Sequence, residues 1–183
     1  MTGLADAVSR ARSLADLFSG DPADGFGTFA PVAAAEVPQP ARTLLDHISH
    51  MTVAMERFHG AAVDLRVVAE ADLADGRYAR EILLSVPGTD GGPARVVQHG
   101  IVRIDLGCIA PAVAARIRRR EQPLGRILVT AGMLCEVHDV AIVSILPGPH
   151  LARLLSDRRT FGRVASIAVD GRSAIDLLEI VAP

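Results

Sequence analysis

The sequence contains no lysine, no asparagine and no tryptophan, and aromatic residues make up only 3% of its 183 positions. Its formal net charge is −2, so it lacks the basic excess and the stacking side chains that nucleic-acid binders use. No run approaches the roughly 18 uninterrupted apolar residues that a membrane-spanning helix requires. We therefore expect neither a nucleic-acid partner nor a membrane span. The N-terminal residues also lack the apolar stretch of a secretory signal, which indicates a cytoplasmic protein.

Cysteine and the common nucleotide-binding and catalytic motifs are equally scarce. The two cysteines, Cys108 and Cys135, are too few for a disulfide framework. There is no CxxC pair, P-loop, GxGxxG turn or GxSxG elbow, so nucleotide binding and serine hydrolysis lose their usual sequence support. His47, His50 and His59 lie near one another, but a zinc site needs a fourth group that the pattern does not supply. We predict no metal and no cofactor.

The length and an apolar fraction of 50% are typical of one domain with a single large core. Residues 1–40 combine an amphipathic helical pattern with a stretch rich in glycine, proline and alanine, which predicts an N-terminal arm and linker. Residues 41–183 are predicted to form the domain itself. Their first element is a helix over residues 41–60, with Ser49 or Thr52 as the point where it could divide.

Six segments rich in Val, Ile and Leu predict strands. They cover residues 61–70, 79–86, 95–106, 134–146, 162–169 and 172–182. Helical patterns at residues 111–120 and 123–130 lie between the third and fourth strands. The dipeptide Asp170-Gly171 predicts a type I′ turn, so the last two strands form a hairpin. We therefore predict an α+β fold, in which helices pack on one side of an antiparallel six-stranded sheet.

Two charged residues break the alternation of polar and apolar side chains along these strands. Glu179 shares a face with Leu177 and Val181, and Arg80 shares a face with Ile82. A buried charge is costly unless it is paired or bound to a ligand. One alternative is a structural ion pair between the two residues, or a side chain that reaches water from a strand end. The other is an internal pocket in which Arg80 binds a small organic anion.

Four short motifs, in order along the chain, resemble those of bacterial chorismate lyases. They are His50-Met51-Thr52 with Glu56-Arg57-Phe58, Tyr78 to Leu84, Pro123 to Leu128, and Gly162-Arg163 through Asp170-Gly171 to Leu178-Glu179-Ile180. Chorismate lyases eliminate pyruvate from chorismate to give 4-hydroxybenzoate, without a cofactor. The resemblance spans about residues 44–183 and implies a six-stranded antiparallel sheet with helices around an internal ligand pocket. The same fold serves as a ligand-sensing domain in transcription regulators of the UTRA type.

The resemblance also implies roles for individual residues. Arg80 corresponds to the arginine that binds a substrate carboxylate, and Glu179 to the active-site glutamate, which orients the ligand or handles a proton. Leu124 corresponds to a position whose backbone contacts the ligand, and Met51 to a methionine of the pocket wall. A second arginine of the family is replaced by His99, which binds a carboxylate when it is protonated.

Three hypotheses for function follow. The first is a cofactor-independent carbon–oxygen lyase acting on chorismate or on a related aromatic or enolpyruvyl carboxylate. The alternative is a non-catalytic UTRA-like domain that binds a small carboxylate and works through a partner protein, because no helix-turn-helix pattern is present. The third is a structural protein with a buried ion pair. Retention of Arg80 and Glu179 favours the lyase, and loss of the second arginine favours a changed ligand. The oligomeric state is left open.

Overall fold

The computed structural model describes residues 2–19 and 25–182. In these residues the chain forms six α-helices and seven strands. The helices are α1 (Thr2–Ala15), α2 (Ala41–Leu45), α3 (Met51–His59), α4 (Pro111–Arg119), α5 (Leu124–Thr130) and α6 (Pro149–Leu154). The strands are β1 (Gly27–Pro31), β2 (Asp64–Asp72), β3 (Tyr78–Val86), β4 (Arg95–Ile104), β5 (Cys135–Pro147), β6 (Thr160–Val169) and β7 (Arg172–Val181).

The seven strands form one antiparallel sheet in the order β1-β5-β6-β7-β4-β3-β2. Two meanders, β2-β3-β4 and β5-β6-β7, meet where β4 pairs with β7. Asp170 and Gly171 both have positive φ, 49° and 76°, so the predicted hairpin turn between β6 and β7 is confirmed. The α+β class is also confirmed. The predicted number of strands is wrong by one, because β1 adds a seventh strand at the edge.

The N-terminal segment, which the sequence predicts to be an arm and linker up to residue 40, packs into the same core. Three side chains of α1, Ala7, Ala11 and Leu14, are at most 2% exposed, and β1 pairs with β5 over five residues. Such a short strand in a stretch rich in glycine and proline has too few residues for a clear alternation of polar and apolar side chains. Residues 20–24 of the predicted linker lie outside the described residues.

Helices cover both faces of the sheet, whereas the sequence predicted helices on one side. α1 packs on one face, where the core includes Ile101, Val143, Val164, Leu178 and Ile180. α2 to α5 pack on the other face, where the core includes Ile82, Val102, Ile167, Leu177 and Val181. We call this second face the cavity face. Odd positions of β6 and β7 and even positions of β3 and β4 point toward it, as does Val97, which lies at a shift in the β3–β4 register.

The predicted helix over residues 41–60 is divided by a five-residue segment, residues 46–50. α3 then begins at Met51 and ends at Gly60, whose φ of 65° is the left-handed conformation that terminates many helices. The break places the N-terminus of α3 over the middle of the cavity face. No helix in the described part of the chain is long and apolar enough to cross a membrane.

Candidate functional site

A cavity of about 50 Å³ lies between the cavity face and the first residues of α3 and α5. Its polar lining residues are His50, Thr52, Arg80, Gln98, Arg163 and Glu179. Its apolar lining includes Met51, Ile82, Val102, Leu124 and Leu177. Four adjacent strands, β3, β4, β7 and β6, each contribute one of the polar side chains, because each residue occupies a position whose side chain points to this face.

Arg80 is the buried charge without a counter-ion in this cavity. Its side chain is 1% exposed, and none of the described carboxylates lies within ion-pair distance. Nη1 donates a hydrogen bond to the backbone oxygen of Ile117 at 3.3 Å, whereas Nε has no hydrogen-bond partner among the described residues. Burial lowers the pKa of the guanidinium, but arginine stays charged in proteins. The group is therefore suited to bind an anion.

Glu179 pairs with Arg163 instead of Arg80. Arg163 Nε donates to Glu179 Oε2 at 2.8 Å, and the arginine side chain is 1% exposed. Nη1 and Nη2 donate to the backbone oxygens of His47 and Ser49, at 2.7 and 3.0 Å. All three nitrogens of Arg163 are thus engaged. The hypothesis of a structural ion pair between Arg80 and Glu179 is wrong, because a different arginine neutralises this carboxylate.

A glycine separates the two predicted charges. Gly100 on β4 pairs with Glu179 on β7 and with Ile82 on β3, so Arg80 and Glu179 are two strands apart, roughly 10 Å across the sheet. A Cβ at Gly100 would lie 3.2 Å from Ile82 Cδ1. The missing side chain therefore keeps the floor of the cavity open between the arginine and the glutamate.

The first residues of α3 and α5 form the roof of the cavity. A Cβ at Gly125 would lie 3.1 Å from Thr52 Oγ1 and 3.2 Å from His50 Cβ, so a glycine allows the two helices to approach this closely. Leu124 and Met51, the first residues of these helices, both line the cavity. Helix N-termini carry partial positive charge, which adds to the positive potential around the cavity.

Gln98 and His99 are neighbours on β4 and therefore point to opposite faces of the sheet. Gln98 is 2% exposed and lines the cavity, and its Oε1 has no hydrogen-bond partner among the described residues. His99 is 0% exposed and faces α1. A ligand in the cavity cannot reach His99, so the expected contact between this histidine and a carboxylate is corrected by the structure.

His99 belongs to a buried polar cluster on the face that α1 covers. Its Nε2 lies 2.7 Å from Glu81 Oε1, and His150 Nε2 lies 2.8 Å from the same oxygen. Phe26 packs against both imidazoles, with ring centroids 5.4 and 5.7 Å away. Burial would raise the pKa of Glu81, but the hydrogen bonds from His99 and His150 outweigh it and hold that pKa below its ordinary value. We call these residues the Glu81 cluster.

The histidines near the cavity are held in the neutral form. Burial lowers the pKa of His50, and burial together with the charge of Arg163 lowers the pKa of His47. In the part of the chain that the structure describes, no three His, Cys, Asp or Glu side chains are arranged to hold a metal ion. With both imidazoles neutral, the charges that line the cavity are those of Arg80, Arg163 and Glu179.

Four of the five site residues predicted from the sequence, Arg80, Glu179, Leu124 and Met51, thus lie around one cavity. Sequence analysis did not identify Arg163 or Gln98 as site residues. The alternation that singled out Arg80 also applies to Arg163, which shares its face with Ala165, Ile167 and Val169. Alternation could therefore have identified this arginine, and it likewise assigns Gln98 to the face of Gly100 and Val102.

Comparisons with known protein families and with curated proteins gave no match. Among solved structures, the chain is similar to PhnF from Mycobacterium smegmatis, with a TM-score of 0.55 and 16% sequence identity. The two chains share a fold. The match covers 74% of this chain and spans 64% of the length of PhnF. At this identity the likeness establishes the fold alone.

Proposed function

We propose that the chain is a ligand-binding domain, in which the cavity receives a small organic anion through its carboxylate. The observation that carries the proposal is Arg80, a fully buried guanidinium with no carboxylate partner among the described residues. A buried charge without a direct ion-pair partner costs stability, and a buried ionisable group that lines a cavity is typical of functional sites. UTRA-like domains bind small ligands, which agrees with this role.

The charges around the cavity favour an anion. Two arginines and one glutamate line it, which leaves one net positive charge because His50 is neutral. The N-termini of α3 and α5 add partial positive charge at the roof. A carboxylate in this position would accept two parallel hydrogen bonds from Arg80, the geometry that makes arginine selective for carboxylates.

The remaining lining supports a ligand with a planar apolar body. Ile82, Val102 and Leu177 offer apolar walls, and the free Gln98 Oε1 can accept a hydrogen bond from a ligand hydroxyl. About 50 Å³ of space holds only a few water molecules. A ligand with an aromatic ring therefore requires lining side chains to move, and Met51 is a flexible side chain that can do so.

The experiment that tests the proposal is calorimetric titration with 4-hydroxybenzoate, the probe that combines a carboxylate, a ring and a hydroxyl. Arg80→Gln should weaken binding by about 10- to 100-fold, because a charge-assisted bidentate contact is lost. Arg66→Gln serves as the matched control, since Arg66 is exposed on β2. Phenol, which lacks the carboxylate, should bind both proteins equally weakly. Equal affinity of wild type and Arg80→Gln for the carboxylate would refute the proposal.

A second candidate function is the elimination of pyruvate from chorismate or from a related enolpyruvyl carboxylate. The observation that favours it is that Arg80, Glu179 and Leu124, the residues to which the resemblance assigns roles, line one cavity. Arg80 would hold a substrate carboxylate. Glu179, fixed by Arg163 at 2.8 Å, would orient the ring or accept the proton that leaves as the ether bond breaks.

Incubation of the protein with chorismate tests this second function. A lyase would release pyruvate and 4-hydroxybenzoate in equal amounts, and Glu179→Gln and Arg80→Gln would each abolish the release. If the wild type binds 4-hydroxybenzoate but releases no pyruvate above the uncatalysed rate, the chain is a binding domain and the lyase hypothesis is wrong. We further propose a cytoplasmic location, so cytoplasmic aromatic carboxylates are the ligands to test next.

A further inference from the structure

A second cavity, of about 360 Å³, opens at the end of the sheet where β4 begins and β7 ends. We call it the arginine groove, after Arg95, Arg158 and Arg159 in its lining. It shares no lining residue with the cavity around Arg80. Val181 of the groove is two residues from Glu179 along β7, about 7 Å, so the two sites are close but separate.

The arginine groove concentrates positive charge, with no compensating carboxylate among the residues that the structure describes. Neither Asp nor Glu occurs among its described lining residues. Arg95 Nη2 lies 3.4 Å from His59 Nδ1, and Arg159 Nη1 donates to Ser144 Oγ at 3.1 Å, so the partners found for these two arginines are neutral. None of the three arginines lies within ion-pair distance of a described carboxylate. Three like charges around one groove repel one another unless an anion neutralises them.

The surroundings of His59 favour its neutral form. Burial and the neighbouring Arg95 lower the pKa of His59 below its ordinary value of 6.5. The neutral ring can therefore accept the hydrogen bond of Arg95 through Nδ1. The contact fixes the direction of the guanidinium without reducing its charge.

Apolar and neutral polar groups complete the lining. Phe58 is 45% exposed and, with Phe161, forms an aromatic part of the wall. The Oε1 of Gln39 accepts from both the backbone nitrogen and the hydroxyl of Thr43, which leaves the amide NH₂ of Gln39 as a donor. An exposed phenylalanine beside guanidinium groups that lack a described carboxylate partner suits anions that carry an apolar body.

We propose that the arginine groove is a second binding site, for a small organic dianion with an aromatic or apolar body. The three arginines bind its anionic group, and Phe58 and Phe161 contact its body. The volume of about 360 Å³ lies in the range of small-molecule sites. The proposal does not depend on the function of the Arg80 cavity, since the two sites share no lining residue.

Phenyl phosphate is the probe for this site, because it carries a dianion on a ring. Calorimetric titration of the full chain should give saturable binding, about tenfold or more weaker in a variant with Arg95→Gln, Arg158→Gln and Arg159→Gln. Arg66→Gln is the matched control, since it removes an exposed arginine outside the groove. Inorganic phosphate and phenol should each bind more weakly than phenyl phosphate.

The triple variant is compared in the wild-type and in the Arg80→Gln background. The proposal expects it to weaken binding of phenyl phosphate in both backgrounds, and to leave the thermal transition unchanged, since its three arginines are exposed. Three results would overturn the proposal. They are the absence of saturable binding at millimolar concentration, loss of binding in Arg80→Gln with retention in the triple variant, and an equal effect of the triple variant and Arg66→Gln.

Discussion

Arg80 and Arg163 are equally buried, at 1% exposure each, but the structure uses their charges differently. Arg163 neutralises Glu179 and binds two backbone oxygens. Arg80 makes one backbone hydrogen bond and has no carboxylate partner among the described residues. The first arginine therefore stabilises the fold, whereas the second costs stability until a ligand neutralises it.

Replacing each arginine by methionine tests this difference. Arg163→Met leaves a partly buried carboxylate unpaired and should lower the free energy of unfolding by up to about 3 to 5 kcal/mol. Arg80→Met should leave it unchanged or raise it, because an uncompensated charge is replaced by an apolar chain of similar length. Urea denaturation without ligand measures both values. A loss in Arg80→Met as large as that in Arg163→Met would make Arg80 a structural residue.

The single tyrosine offers an optical test of the cavity face. Tyr78 donates its hydroxyl hydrogen to Glu70 Oε2 at 2.8 Å, and burial together with this bond raises its pKa to about 12. The sequence has one tyrosine and no tryptophan, so absorbance at the phenolate band reports this residue alone. We expect a transition near pH 12 in wild type and a lower one in Glu70→Gln, which loses the neighbouring negative charge.

The same shift predicts a loss of stability in alkali. The unfolded chain releases the phenolic proton near pH 10, whereas the folded chain keeps it to about 12. The stabilising contribution of Tyr78 is therefore complete below pH 10 and is lost as the pH rises toward 12. The loss amounts to about 1.4 kcal/mol per pH unit. A wild-type phenolate transition near pH 10, in protein that is still folded by circular dichroism, would contradict both expectations.

Part of the site could be predicted from the sequence because strand side chains alternate with a period of two. That rule needs only the strand and its parity, and it identified Arg80 and Glu179. It could not show which charges pair, because pairing depends on strand order, and only β6 beside β7 brings Arg163 to Glu179. The expected role of His99 came from the resemblance to chorismate lyases, whereas its parity assigns it to the opposite face.

At the scale of elements, α1 and β1 are the parts of the chain that the sequence treated as an arm. Together with Phe26 and Phe29, α1 buries the face of the sheet that carries Ile101 and Leu178. Removing residues 1–40 exposes these apolar side chains and the edge of β5, which loses its pairing with β1. Exposed apolar surface and an unpaired edge both promote aggregation.

A truncated chain of residues 41–183 tests the role of these elements. Loss of the buried contacts of Leu14, Phe26 and Phe29, at about 2 to 5 kcal/mol each, is comparable to the usual 5 to 15 kcal/mol of a domain. We therefore expect the fragment to aggregate or to lack a cooperative thermal transition. A chain that lacks only residues 1–5 should retain a cooperative thermal transition, since Ala7, Ala11 and Leu14 stay in place. A fragment 41–183 as stable as the full chain would restore the predicted boundary.

Most of the other strands could be predicted from local sequence patterns. β2 to β7 are all long enough, at nine residues or more, for an apolar pattern to emerge. The turn at Asp170-Gly171 adopts the positive φ that this dipeptide favours. β1 and α6 are five and six residues long, and their pairing or packing comes from distant parts of the chain. Local pattern therefore predicts the long elements, and tertiary contacts determine the short ones.

At the scale of the whole molecule, one pair of strands connects two polar sites. β3 and β4 direct Arg80 and Gln98 into the cavity, and the next residue of each strand, Glu81 and His99, into the Glu81 cluster on the opposite face. The cluster also contacts α6 through His150. Hydrogen bonds between ionisable groups thus connect β3 and β4 on the face opposite the cavity. We therefore expect the stability of the fold to depend on pH in the acid range.

We expect the free energy of unfolding to decrease as the pH falls. Burial lowers the pKa of His47, His50, His59 and His99 below 6.5, so these residues stay neutral in the folded chain and take up protons on unfolding. Their stabilising contribution is present above pH 6.5 and is lost as the pH falls below it. Each adds up to about 1.4 kcal/mol per pH unit to the loss. The pKa of Glu81 is also lowered, so the stabilising contribution of its carboxylate is lost only below about pH 4.5.

Urea denaturation at pH 8, 7, 6 and 5.5 measures this dependence. We expect a constant free energy of unfolding between pH 8 and 7, and a decline that steepens below pH 6.5. His59→Gln should reduce the number of protons taken up on unfolding by up to one, so the free energy of unfolding declines less steeply with falling pH. The substitution removes one group that is protonated only on unfolding and leaves the Glu81 cluster intact. A free energy that stays constant down to pH 5.5 would mean that the buried imidazoles take up protons without unfolding. The hydrogen bonds behind β3 and β4 would then tolerate a positive charge on His99 beside Glu81.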